Sequence, residues 1–125
     1  HAPHHKDEKN VEFAIAANGI TGFETAMSLA WANLVEAGHI TPEKLVELMA
    51  IRPAELLQQK SGCIEEGGCA DISIFDTEKT WLVCEDALYS KGKNTPLLGQ
   101  KLKGKTKTVF VDGELKLDDF QIVED

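Results

Sequence analysis

The clearest structural signal in this sequence is the stretch Thr108-Val109-Phe110-Val111-Asp112-Gly113-Glu114-Leu115-Lys116-Leu117. Its Asp-Gly pair favours a two-residue type I′ turn, in which both residues adopt a positive φ. A β-branched and aromatic segment precedes the pair, and leucines alternate with charged residues after it. The stretch therefore predicts a β-hairpin that turns at Asp112-Gly113.

Further strands are predicted upstream of the hairpin. Residues Ala70 to Phe75 form an apolar run between Gly67-Gly68 and Asp76-Thr77, which is typical of a strand buried on both faces. Trp81 to Cys84 is another candidate strand. The acidic segment from Asp118 to Asp125 is expected to fray. The second half of the chain is thus predicted to be β.

A loop and an amphipathic helix are predicted for the first part of the chain. Residues 6 to 20 are rich in charged and small residues, which favours a loop. From about Gly22 to Gly38, apolar residues recur at helical spacing and predict one buried stripe, formed by Met27, Ala30, Trp31, Leu34 and Val35. Gly38 suits the left-handed position that ends a helix.

Two shorter helices are predicted next. Thr41-Pro42 suits the N-cap and first turn of a helix whose inward residues would be Leu45, Leu48 and Met49. Pro53 is expected to end this helix at about Ile51 and to start a third, with Leu56 and Leu57 facing inward. Helices followed by strands are compatible with an ordinary α+β domain.

Composition restricts the classes of function. The chain has 125 residues, a length typical of a single domain. With 42% hydrophobic and 27% charged residues, it is expected to be soluble and globular. A net charge of −8 argues against nucleic acid and anionic membranes as partners. No spanning segment or signal peptide is visible. Cys63, Cys69 and Cys84 cannot all pair and fit no zinc spacing, so reduced thiols in the cytoplasm are expected.

Three histidines, His1, His4 and His5, stand at the start of the sequence. Histidine titrates near neutral pH and binds metals and anions. The intervening Ala2-Pro3 disfavours a tag remnant. Adjacent histidines tend to point apart, and no acid or cysteine stands at ligand spacing, which disfavours a local metal site. The edge of a larger active site is the third interpretation.

Four segments match the motifs of one family, in the same order, over about residues 1 to 117. His1-Ala2-Pro3-His4 is similar to the end of the Asp-His-Ala-Pro-His motif of the dihydroorotases, in the amidohydrolase superfamily. Asn18 to Ala26 resembles their Gly-Ile-x-Gly-x-Glu-Thr-Ala segment. Ser90 to Pro96, with Gly99 and Gly104, resembles Ser-Lys-x-x-Asn-Thr-Pro-Phe-x-Gly, and Gly67 to Asp76 resembles the Gly-x-x-Ala-Asp-Leu-x-x-x-Asp strand.

The resemblance implies a more specific α/β fold than the pattern alone. Residues 1–60 would be the C-terminal end of a metal-dependent (β/α)₈ barrel, namely a loop and the closing helices. Residues 61–125 would be the C-terminal strands of a small β-sandwich domain. Both halves would lack their packing partners, so we expect a C-terminal portion of a larger protein. It would be ordered by the missing N-terminal part of the barrel or by another copy in a homo-oligomer.

The resemblance also implies an activity. Dihydroorotases hydrolyse the cyclic amide of dihydroorotate reversibly to carbamoyl-aspartate in pyrimidine biosynthesis, with zinc activating the attacking water. The aspartate of the first motif would directly precede His1, and the family's metal ligands lie on upstream strands. Catalytic and metal-binding residues are therefore expected outside this chain, which alone is expected to be inactive.

Three residues are expected to bind substrate. His4 corresponds to a histidine that contacts the substrate's carboxylate, and Asn18 and Gly19 correspond to a position where backbone groups contact the substrate ring. The family more often has an aromatic residue at the Asn18 position, so the side-chain part of that contact stays open. Without the resemblance, His4 would be interpreted as an exposed loop imidazole.

Two functions of different classes stay open. The parent would be an active zinc dihydroorotase, or a non-catalytic dihydroorotase-like scaffold for aspartate carbamoyltransferase. The pattern from His1 to His4 favours the enzyme, since a degenerate homologue need not keep it. A related cyclic amidase, such as an allantoinase or hydantoinase, ranks lower because those usually differ at the Ala-Pro-His positions.

Overall fold

The computed structural model describes residues 1–124, with helices in the first half of the chain and strands in the second. The helices, in chain order, are α1 (Lys6–Lys9), α2 (Phe23–Ala30) with a π-helical continuation (Trp31–Glu36), α3 (Pro42–Val46) with a π-helical continuation (Glu47–Ile51), and α4 (Arg52–Leu56). The strands are β1 (Ile72–Leu82), β2 (Lys101–Val111), β3 (Glu114–Asp118) and β4 (Gln121–Ile122), and a 3₁₀ turn (Glu85–Ala87) follows β1. They form an antiparallel sheet in the order β1-β2-β3-β4.

The predicted hairpin is confirmed. Asp112 and Gly113 have φ values of 50° and 80°, and Val111 pairs with Glu114 across the turn. The strand before the turn begins at Lys101, well ahead of the predicted Thr108, because β2 pairs with β1 along its whole length. Two residues that tolerate positive φ thus fix the turn, while the length of the strand depends on a distant partner.

The two strands predicted before the hairpin are one strand, β1. Asp76 was expected to bound the first strand, but its Oδ1 accepts hydrogen bonds from the backbone N–H groups of Glu78 (2.9 Å) and Lys79 (3.0 Å). This local turn forms a bulge within β1, and the pairing with β2 shifts register between Asp76 and Thr80. The predicted burial on both faces is wrong, since most of β1 is at least partly exposed and Ile74 is 49% exposed. Among residues 1–124, no second sheet covers it.

The predicted helix from Gly22 to Gly38 is confirmed, and Gly38 has a φ of 76°. The expected apolar stripe is not its most buried face. Thr25 and Ser28 are both 1% exposed, whereas Leu34 is 37% exposed. The reason is that α2 packs against β2, and small polar side chains fit this close contact.

The second helix begins as predicted but does not end at Pro53. Thr41 Oγ1 accepts the Lys44 N–H at 3.3 Å, and Pro42 occupies the first turn. Ile51 keeps helical dihedrals (φ −65°, ψ −53°), so the backbone continues directly into α4. Pro53 follows the π-helical turn and occupies the first turn of α4, a position that helices tolerate for proline.

Most side chains expected to face inward from these helices are exposed. Leu45 is 1% exposed, as expected, and Ala54 is the buried residue of α4. The predictions for the others are wrong, because nothing within residues 1–124 covers that side of the helices; the exposed set is Leu48, Met49, Leu56 and Leu57.

The core is small and lies where the end of β1 meets the start of β2. Trp81, Val83 and Leu88 form it, with Leu102 packed against it. Among residues 1–124, no helix has the length and apolarity to cross a membrane.

Both ends of the chain contain more structure than expected. α1 interrupts the predicted loop of residues 6 to 20. In the acidic tail predicted to fray, Gln121–Ile122 pairs with β3, and Asp125 lies outside the described residues.

Candidate functional site

A cleft of about 580 Å³ lies between the first residues of the chain and the loop before β2. Ile20, Pro96 and Leu98 give it apolar wall area, and Glu85 is the acidic residue on its wall. Lysines and histidines make up most of the rest of the lining, namely His4, His5, Lys6, Lys9, Lys91 and Lys93. In a chain of net charge −8, this concentration of lysines favours an anionic ligand at this position.

His4 is held by backbone and side-chain contacts at the edge of this cleft. Its Nε2 donates to the carbonyl oxygen of Asn18 at 2.8 Å, and its Nδ1 lies 3.7 Å from Glu8 Oε2. Because a carbonyl oxygen only accepts, Nε2 carries the proton in the neutral ring. Nδ1, which lies beside Glu8, is therefore the nitrogen left for a ligand, and it donates only when the ring is protonated. The side chain is 24% exposed.

Asn18 and Gly19 lie next to His4, but neither lines the cleft. Besides the Asn18 carbonyl, the Gly19 carbonyl is also engaged, accepting Lys9 Nζ at 2.6 Å. Gly19 has a φ of 93°, and a Cβ there would lie 2.6 Å from the Cβ of Ala2. Only glycine permits this approach of the two loops. The structure thus brings the three predicted substrate-binding residues together, while their contact with substrate stays a prediction.

Asn94 was not predicted as a functional residue, yet its side chain joins the loops that carry the predicted site. Its amide group bonds to His4, Ala2, Thr21 and Gly19. In the sequence, the surrounding segment is distinctive only through its resemblance to Ser-Lys-x-x-Asn-Thr-Pro. Local chemistry predicts a turn at Asn-Thr-Pro, and the partners lie more than seventy residues away in sequence.

The other histidines serve the local structure. His1 Nδ1 accepts the Gly22 N–H at 3.0 Å, and its ring stacks on Phe23 with centroids 3.9 Å apart. His5 is the N-cap of α1, and its backbone N–H donates to Glu8. The residues of the cleft therefore do not converge on a common metal position.

Within residues 1–124, one group has three potential metal-ligand atoms close together, formed by Cys69, Asp71 and Asp112 near the β2–β3 turn. All three residues are exposed. The thiol of Cys69 donates to Asp112 Oδ1 at 2.9 Å. This hydrogen bond, with partial desolvation of the thiol and the two negative charges, raises the pKa of Cys69 to about 11. Without a bound cation, the thiol is therefore protonated near neutral pH.

Residues 7–116 match the model of the amidohydrolase family. The chain belongs to this family. It is similar to the dihydroorotase of Acetivibrio thermocellus, with 48% identity over 115 residues, and to that of Clostridium acetobutylicum, with 43% identity over 119 residues. These matches cover 92% and 95% of the chain but 27% and 28% of the relatives. The chain thus spans about a quarter of the length of the curated relatives it matches.

Solved amidohydrolases share the fold of the chain. A D-hydantoinase matches 95% of it with a TM-score of 0.81 and 30% identity. The L-hydantoinase (dihydropyrimidinase) from Arthrobacter aurescens matches 90% with a TM-score of 0.81 and 27% identity. Each match covers 26% of the solved chain. The expected relationship to amidohydrolases is confirmed, while the assignment of residues 1–60 to a barrel and 61–125 to a sandwich stays a prediction.

Glu24, within the segment that resembles the dihydroorotase motif, ties α2 to the loop after the 3₁₀ turn. Its Oε1 accepts the Ser90 N–H at 2.6 Å, and Oε2 is buried without a partner. Burial acts to raise the pKa of Glu24, but hydrogen bonds from Ser90, together with the backbone N–H groups of Glu24 and Tyr89, outweigh it and lower the pKa. The carboxylate is thus held charged in the wall of a second cavity, of about 400 Å³.

Proposed function

We propose that the chain is the C-terminal portion of a dihydroorotase, which interconverts dihydroorotate and carbamoyl-aspartate in the pyrimidine pathway of the cytoplasm. The observation that carries the proposal is the 48% identity with a dihydroorotase over 92% of the chain. The four motif segments, in family order, support the same assignment. Free thiols at all three cysteines are compatible with a reducing compartment.

The cleft supplies the groups that a carboxylate-bearing substrate needs. Lysines around the cleft attract the anion, and Nδ1 of a protonated His4 donates a charge-assisted hydrogen bond to the carboxylate. Because Nε2 is committed to the Asn18 carbonyl, the ring keeps one orientation while Nδ1 engages the ligand. The substrate's carboxylate would take the place that Glu8 Oε2 holds at 3.7 Å.

The described residues near the cleft do not bring three potential zinc-ligand atoms together, since the one such group within residues 1–124 lies at Cys69, Asp71 and Asp112. Zinc, which activates water and polarises the amide carbonyl in such enzymes, would be held by residues outside this chain. Exposed apolar side chains support such an upstream partner, among them Phe13 (99%), Leu56 (83%) and Ile64 (85%). Faces of this kind are covered by other polypeptide in stable proteins, here the N-terminal part of the barrel.

The test uses the full-length polypeptide that contains these residues. Purified protein should contain zinc, hydrolyse dihydroorotate, lose the activity with a chelator and regain it with zinc. His4→Ala should raise KM for dihydroorotate about tenfold to a hundredfold, the cost of one charge-assisted hydrogen bond. His39→Ala is the matched control and should leave KM unchanged, because His39 is exposed and does not line the cleft.

Other substrates and partners separate the alternatives. Hydantoin and dihydrouracil test the activity named for the structural neighbours, and faster turnover of either than of dihydroorotate would contradict the proposal. A zinc-free, inactive protein that binds aspartate carbamoyltransferase would instead identify the scaffold role.

A further inference from the structure

The side chain of Asn94 makes hydrogen bonds to both loops that carry the predicted site. Its Oδ1 accepts the backbone N–H of His4 at 2.8 Å and the hydroxyl of Thr21 at 2.9 Å. Its Nδ2 donates to the carbonyl oxygen of Ala2 at 2.8 Å and to that of Gly19 at 3.4 Å. The backbone carbonyl of Asn94 accepts the N–H of Thr21 at 3.1 Å.

The orientation of this amide is fixed by its partners. A backbone N–H can only donate and a carbonyl oxygen can only accept, so Oδ1 must face His4 and Nδ2 must face Ala2. Asparagine is the side chain of this length that offers an acceptor and a donor at once. Aspartate has the same shape but would set an oxygen against the Ala2 carbonyl, and alanine would reach neither partner.

The contacts of Asn94 lie on both sides of the hydrogen bond between the His4 ring and the Asn18 carbonyl. Oδ1 holds the backbone of His4, and Nδ2 holds the carbonyl of Gly19, the neighbour of Asn18. The imidazole is thereby fixed at both ends, through its own main chain and through the carbonyl that receives Nε2. Asn94 also lines the cleft, but both polar atoms of its side chain are bonded to the two loops, so it supports the position of the binding group.

We infer that Asn94 is a positioning residue of the substrate site, which fixes the imidazole of His4 relative to the Asn18-Gly19 backbone. The inference rests on the proposed function for its kinetic consequence, since His4 then binds the substrate's carboxylate. Its structural content, the placement of the ring, does not depend on the reaction.

The kinetic experiment compares Asn94→Asp, Asn94→Ala and Ser28→Ala in the full-length protein. Both Asn94 variants should raise KM for dihydroorotate about tenfold with kcat within about twofold, because ground-state binding is lost while the reacting groups are unchanged. Ser28→Ala removes a buried hydrogen bond in the contact of α2 with β2. It should lower Tm without changing KM. An unchanged KM in folded Asn94 variants, or an equal rise in Ser28→Ala, overturns the inference.

The spectroscopic experiment separates this inference from the proposed function. In protein with ¹⁵N-labelled histidine, His4 should show a protonated Nε2 with a slowly exchanging proton, assigned by its loss in His4→Gln. The signal should disappear in both Asn94 variants and persist in Ser28→Ala, whether or not dihydroorotate is a substrate. In the wild-type protein, the amide proton of Asn94 that faces Ala2 should exchange slowly, which tests the contact even if no variant folds. Exchange as fast as that of exposed Asn33 overturns the inference.

Discussion

Ser28 Oγ donates a hydrogen bond of 2.6 Å to the carbonyl oxygen of Gly104, which joins helix α2 to strand β2. The same carbonyl accepts Trp81 Nε1 at 2.9 Å, and the indole also lies 3.3 Å from Ser28 Oγ. The three groups are buried, and each has a hydrogen-bond partner among the other two.

Ser28→Ala should lower the free energy of unfolding by about 1–2 kcal/mol, because a buried hydrogen bond is lost while Gly104 still receives the indole N–H. Urea unfolding followed by tryptophan fluorescence measures the change. The control is Asn33→Ala, which removes an exposed hydrogen bond to Leu29 and should cost less than about 0.5 kcal/mol. Equal losses in the two variants would contradict the assigned contact.

Gly104→Ala should be more damaging, since Gly104 has a φ of 85° and an added Cβ would lie 2.5 Å from Phe75 Cζ. Backbone strain and overpacking together should cost about 2–4 kcal/mol of unfolding free energy. Gly99→Ala is the matched control, because Gly99 has a φ of 82° and open space around it. It should cost about 1–2 kcal/mol, the strain alone. The difference in unfolding free energy between the two variants, measured by thermal melts, gives the cost of the contact with Phe75. Equal losses in the two variants would contradict that contact.

Local chemistry was enough to predict several elements. The turn at Asp112-Gly113, the cap at Thr41 and the stop at Gly38 each depend on residues adjacent in sequence. Their positions agree with the structure because the conformational preference is a property of those residues themselves.

Predictions that depended on distant contacts did less well. Apolar spacing predicted a buried Leu34, but the close approach of α2 to β2 buries Ser28 instead. Leu56 and Leu57 satisfy a helical pattern, yet nothing among the described residues covers them. In the candidate site, motif resemblance selected His4, Asn18 and Gly19, whereas the role of Asn94 required the three-dimensional arrangement of its partners.

Glu24→Gln should change the pH dependence of stability. The pKa of folded Glu24 is lowered, so the charged carboxylate stabilises the fold above the unfolded pKa, and this contribution is lost as pH falls through the folded value. The variant should therefore be less stable than the wild type at pH 7, with a difference that shrinks toward pH 3. Thermal melts across this range measure it, with exposed Glu12→Gln as control. A difference independent of pH would show that the charge of Glu24 does not contribute.

Asp112→Asn should make the thiol of Cys69 more reactive. The Sγ–H donates to the carboxylate of Asp112, and this bond, with partial desolvation and the charges of Asp112 and Asp71, raises the pKa of Cys69 to about 11. An amide at position 112 keeps the turn, since asparagine tolerates a φ of 50°, but removes one negative charge beside the thiolate. The pH midpoint for alkylation of Cys69 by iodoacetamide should fall, measured by mass spectrometry with Cys63 and Cys84 replaced by serine. Glu114→Gln is the control, because it alters a carboxylate paired with Lys116 and should leave the pH midpoint of alkylation unchanged. An unchanged midpoint in Asp112→Asn would exclude Asp112 as the cause of the raised pKa of Cys69.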